Sequence, residues 1–100
     1  MKSDIFNQYV DRVSELFKIE KKNLFIKSKK QELVDARHML YYLCSNRPIK
    51  ITYIEKYMAE NGYAIKHNSI IHGINSVEKK MVLDRDLLLM IRDIEKSVYI

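Results

Sequence analysis

The sequence predicts an all-α fold of five or six helices, and three observations carry that reading. Glycine occurs twice and proline once in 100 residues, whereas an all-β chain needs turn residues every ~8–12 positions. Apolar residues recur three and four apart along most of the chain, the period of a helix buried on one face. Leu, Ile, Lys, Glu and Met abound, and these suit helices. One hundred residues make a single domain, 1–100, by the usual size of domains. An apolar fraction of 47% can fill its core.

The elements follow in order. Ser3 can cap a first helix whose stripe is Phe6, Tyr9, Val10, Val13, Leu16 and Phe17. "KIEKKNLF" (18–25) has the form of a short helical turn, with Ile19, Leu24 and Phe25 inward. "IKSKKQE" (26–32) holds three lysines and no periodicity, so it is expected to be an exposed loop. A long helix over 33–46 puts Val34, Leu40, Tyr41, Leu43 and Cys44 inside. Pro48 disfavours helical geometry at Arg47. A shorter helix at about 50–60 buries Ile51, Ile54, Tyr57 and Met58. Asn61-Gly62 then takes positive φ in a turn. The spacing of Ile70, Ile71, Ile74, Val77 and Met81 predicts a helix over 67–81. Asp84 can cap a last helix over 85–98, with Leu87, Leu88, Met90, Ile91 and Ile94 inside.

Composition narrows the function. Eighteen Lys and Arg against thirteen acidic residues give a net charge of +5, a moderate excess that favours an anionic partner. The lone cysteine, Cys44, lies in a periodic apolar segment and reads as a reduced core thiol. "MKSDIFNQYV" is too polar for a secretory h-region. No apolar run approaches the ~20 residues of a membrane span. A cytoplasmic protein is expected.

The stretch "KHNSIIHGI" (66–74) raises the question of chemistry. His67 and His72 are five apart, which on a helix is about 140° around the axis, so they do not share a metal-binding face. No carboxylate or thiol lies near enough to complete a set. Ser69 lacks a strand–turn–helix elbow, and Cys44 and His38 point apart on their helix, so catalysis is not expected. No phosphate-binding glycine loop is present, so no nucleotide or other cofactor is expected. His72 sits between Ile71 and Ile74 and reads as a half-buried structural histidine. His67, Asn68 and Ser69 occupy the first turn of their helix. The short helix, turn and longer helix at 50–81 have the outline of a helix-turn-helix. In that motif such side chains donate to and accept from base edges, and the free N–H groups beside them suit phosphate. Capping by Asn68 or Ser69 is the competing reading, and composition leaves the two open.

A resemblance bears on the choice. "KHNSIIHGINSVEK" (66–79) is similar to the signature of the C-terminal DNA-binding domain of the bacterial replication initiator DnaA, with His67, Ser69, Ile70 and His72 in register. Lys66, Asn68 and Gly73 depart from the pattern. "ELFKIEKKNLFIKSKKQELVDARHMLYYL" (15–43) resembles that family's hydrophobic helix, short turn, basic loop and arginine-bearing helix, and "IKITYIEKYM" (49–58) resembles its next segment. The departures Asp35 and Glu55 and a turn about four residues longer leave the DNA sequence open. The stretch that resembles the family does not include its nucleotide-binding portion. The resemblance implies a sequence-dependent double-stranded DNA binder, either a small transcription regulator or a replication accessory of a phage, mobile element or bacterium. It implies that Lys27, Lys29 and Lys30 meet backbone and minor groove, and that Arg37 donates to a guanine edge or phosphate. Lys50, Thr52, Lys66, His67, Asn68 and Ser69 complete the expected interface. The competing class is a protein-interaction module of the same fold, partnered with replication or phage machinery.

Overall fold

Helix α1 (Lys2–Phe17) forms because Ile5, Phe6, Tyr9, Val10 and Val13 fall on one face, and all five are buried. The computed structural model describes residues 2–98. Ser3, expected as a cap, lies inside the first turn of α1. Ser14 is buried as well, and its hydroxyl donates to the Val10 carbonyl at 2.7 Å, which satisfies it without leaving the helix. The helix closes in a Schellman arrangement. Ile19 N–H donates to Ser14 O at 3.0 Å and Lys18 N–H to Glu15 O at 3.2 Å. Lys18 sits at the reversal with φ 54°, where a side chain is sterically disfavoured.

A 3₁₀ turn (Lys21–Phe25) buries Leu24, and the basic loop spans only 26–30. Helix α2 (Gln31–Asn46) begins two residues before the periodicity suggested. It is the hub, touching α1, the 3₁₀ turn, α3 and α4. Contact on several sides explains why Leu33, Ala36, Met39, Leu40, Tyr41, Leu43 and Cys44 are all buried. At its start Leu33 is buried and Val34 is half-buried. Cys44 is fully buried, and burial pushes its thiol well above the ordinary range, so it remains a protonated core group.

Helix α3 (Ile51–Glu60) buries Ile54, Tyr57 and Met58. It also ends in a Schellman arrangement, with Tyr63 N–H to Met58 O and Gly62 N–H to Ala59 O, both 2.9 Å. Gly62 takes φ 89°. Asn61 stays at φ −96° and instead donates through its amide to Tyr57 O at 2.8 Å, so only one residue of the Asn-Gly pair uses positive φ. Helix α4 (His67–Leu83) buries a narrow stripe of Ile70, Gly73 and Val77. Ile71 is 38% exposed, contrary to the pattern reading, because it lies about 100° off that stripe.

Asp84 caps helix α5 (Arg85–Ser97) as expected, its carboxylate accepting from Leu87 N–H at 3.1 Å. Only Ile91 of α5 is buried, and Met90, expected inside, is 40% exposed. The C-terminal end of α5 is tied down by Arg12 Nε to Ser97 Oγ at 3.1 Å and Asn46 Nδ2 to Glu95 Oε2 at 3.2 Å. Just beyond it, Arg47 donates to Val98 O at 3.1 Å. The described residues hold five α-helices and the 3₁₀ turn, with no strand. No helix among them is long and apolar enough to cross a membrane.

The two helix ends make opposite predictions. Lys18→Gly relieves a left-handed side chain and should raise stability by about 0.5–1 kcal/mol after the entropic cost of glycine is counted. Gly62→Ala has open space for the methyl but keeps the positive φ, and should cost about 1 kcal/mol. Urea titration checks both. Midpoints should move in opposite directions with unchanged slopes.

Candidate nucleic-acid interface

The site begins where α4 crosses α2. A methyl group on Gly73 would lie 2.8 Å from His38 Cδ2 and 2.9 Å from Tyr41 Cδ2. Only glycine lets the two helices approach this closely. The approach brings the first turn of α4, the basic loop and the 63–66 segment together around an open groove of about 590 Å³. Its lining includes Lys29, Arg37, Lys66, Asn68, Ser69, His38, His72, Tyr41 and Tyr63. Three cations and two imidazoles line it, and no carboxylate does. Such a surface suits an anion.

Arg37 lies at the base of this groove. It is 4% exposed. Its Nη1 donates to Ile26 O at 3.0 Å and its Nη2 to Ser28 O at 2.6 Å. The guanidinium also lies 5.0 Å from the centre of the Tyr63 ring. Two of its N–H donors are thus taken by loop carbonyls. Arg37 clamps the basic loop onto α2, because a fork of donors can hold two carbonyls at once. The loop is shaped further by Ser28 Oγ, which accepts from Lys30 N–H at 3.2 Å.

The other expected residues divide. Lys29, Lys66, Asn68 and Ser69 line the groove. Lys27, Lys30, Lys50, Thr52 and His67 are exposed and lie outside its lining. The His67 side chain is 61% exposed, with Nδ1 3.8 Å from Glu55 Oε1. Asn68 and Ser69 do not cap α4. The cap position belongs to Lys66, which offers no side-chain bond, and Ser69 N–H donates to Lys66 O at 3.1 Å. His72 is exposed rather than half-buried. Its ring stands edge-on to that of His38, centroids 5.8 Å apart.

The interface expected from the sequence did not include His38, Tyr41 or Tyr63. His38 Nδ1 and the Tyr41 hydroxyl are buried and have no hydrogen-bond partner among the described residues. Burial pushes His38 below the ordinary imidazole value of 6.5, and His72 adds to the shift. Burial pushes the Tyr41 hydroxyl up, which keeps it a neutral donor. Asp35, which departs from the family pattern, is occupied by Gln31 Nε2 at 2.7 Å and Lys80 Nζ at 3.3 Å. No group of three or more His, Cys, Asp or Glu among the described residues is placed to hold a metal ion. No protein-family model, curated protein or solved structure matches the chain.

Two outcomes follow from this geometry. Gly73→Ala should lower stability by roughly 1–2 kcal/mol, overpacking outweighing the ~1 kcal/mol gain in helix propensity. A denaturant midpoint that rises would show that the helices can separate freely. The depressed His38 means that the unfolded chain takes up the proton first as acid is added. Stability should therefore fall as pH drops through 6.5 and level off below the folded value. The His38→Gln variant, followed by thermal melts between about pH 7 and pH 5, should lose that part of the slope.

Proposed function

We propose that the chain binds double-stranded DNA through the groove between α2 and α4 and the basic loop beside it. The observation that carries this reading is the groove's lining, which brings Lys29, Arg37 and Lys66 together with amide, hydroxyl and imidazole groups and no carboxylate. In this reading α3 and α4 act as a helix-turn-helix, with the first turn of α4 entering the major groove. Asn68 and His67 meet base edges, and Ser69 with the free N–H groups of that turn meets phosphate. Lys27, Lys29 and Lys30 supply sequence-independent attraction from a loop that Arg37 holds in place. The resemblance of 66–79 to the DnaA C-terminal domain supports the same assignment. A small regulator or a replication accessory fits a chain of this kind.

Fluorescence anisotropy on a random-sequence duplex and on a duplex selected from a random pool tests the reading. Replacing Lys27, Lys29 and Lys30 by Ala should flatten the dependence of log K on log salt by roughly 2–3 units. Asn68→Ala should cost about 1–3 kcal/mol on the selected duplex and much less on the random one. Arg37→Lys should instead lower the melting temperature and weaken both duplexes alike, since one ammonium cannot hold both loop carbonyls. Failure to bind either duplex at low salt removes the DNA reading.

A further inference from the structure

Four large apolar residues are exposed within nine consecutive positions at the corner between α4 and α5. Val82 is 84% exposed, Leu83 89%, Leu89 50% and Met90 40%. Single exposed apolar side chains are ordinary, but a run of this kind marks a contact surface. None of these four lines the groove between α2 and α4.

The charges around Leu89 indicate what covers it. On a helix of 100° per residue, Arg85 and Arg92 lie about 40° and 60° to one side of Leu89. Asp93 and Asp86 lie about 40° and 60° to the other. All four are exposed, and none is engaged in an ion pair or hydrogen bond of its side chain with another described residue. The outer face of α5 thus carries a basic row and an acidic row, each repeating after seven residues, with the exposed Leu89 between them. Lys96, seven residues past Leu89, bounds this face at its C-terminal end.

We propose that this face pairs with the same face of a second copy of the chain, the two α5 helices running parallel about a two-fold axis. A two-fold axis along the helices sets the acidic row of each copy against the basic row of the other, while Leu89 meets Leu89 of the second copy. The antiparallel alternative sets acidic row against acidic row and basic against basic, so charge selects the parallel form. Val82 and Leu83, at the corner just before α5, are exposed as well. A face that is complementary to itself in this way forms a closed, isologous dimer.

Sedimentation equilibrium of the whole chain at low salt tests the proposal. The wild-type chain should approach twice its 12.0 kDa monomer mass as concentration rises, and added salt should weaken the association. Leu83→Asp with Leu89→Asp should sediment as a monomer while keeping its helical circular dichroism, since both side chains are exposed. The double variants Asp86→Arg/Asp93→Arg and Arg85→Asp/Arg92→Asp should each be monomeric alone. Mixed in equal amounts, they should recover a one-to-one dimer. A wild-type chain that stays monomeric at high concentration overturns the proposal and leaves the corner to a different partner. Charge-reversed variants that dimerise separately, or fail to associate when mixed, also overturn it.

Discussion

The closeness of α2 and α4 at Gly73 is the constraint on which the rest of the molecule depends. The Gly73 backbone rests against the rings of His38 and Tyr41, with no room for a methyl group between them. That contact fixes the height of α4 over the hub helix. The height fixes where the first turn of α4 stands relative to the basic loop, and so the width of the groove. A glycine inside a helix costs about 1 kcal/mol relative to alanine. Here the loss is offset by an approach that no other residue allows. The buried and unpartnered His38 Nδ1 and Tyr41 hydroxyl lie at the same crossing, so its polar side is incompletely satisfied within the chain itself.

Arg37 is the second fixed point. A buried guanidinium with no carboxylate partner among the described residues is unusual. It is compensated by two loop carbonyls and the Tyr63 ring. Its charge therefore remains largely uncancelled beneath the groove, where it adds to Lys29 and Lys66. The same side chain holds the loop and contributes to the field above it. This dual position explains how a chain of only +5 presents a locally cationic surface. Acidic groups nearby are engaged elsewhere, Asp35 with Gln31 and Lys80, and Glu55 near His67 outside the groove.

Most of the helical architecture was legible in the sequence because burial of one face writes itself as spacing. The stripe of α1, the breaks at Pro48 and Gly62, and the Asp84 cap each follow from local rules that need no tertiary information. The apolar residues expected inside but found exposed share one source. Ile71 and Met90 were placed inside by counting three and four residues, yet how wide a helix's buried stripe is depends on what packs against it. Helix α2 packs on several sides and buries half of its residues, whereas α4 and α5 bury narrow stripes and leave apolar residues in water.

For the site, the sequence by itself determined which residue types were available. A lysine-dense loop, the run from Lys66 to Ser69 and an excess of cations are readable without a fold. Only the tertiary structure decided which of them converge. Lys29, Lys66, Asn68 and Ser69 meet in the groove, while Lys27, Lys30, Lys50, Thr52 and His67 stand outside its lining. Arg37 clamps the basic loop because the loop's carbonyls, silent in the sequence, fold back over α2 within its reach. His72 proved exposed and His38 partly buried, since helix periodicity ranks residues on one helix and cannot rank two helices against each other. The distance between α2 and α4 is set by a missing methyl group at Gly73, and its consequence appears only when the second helix is in place.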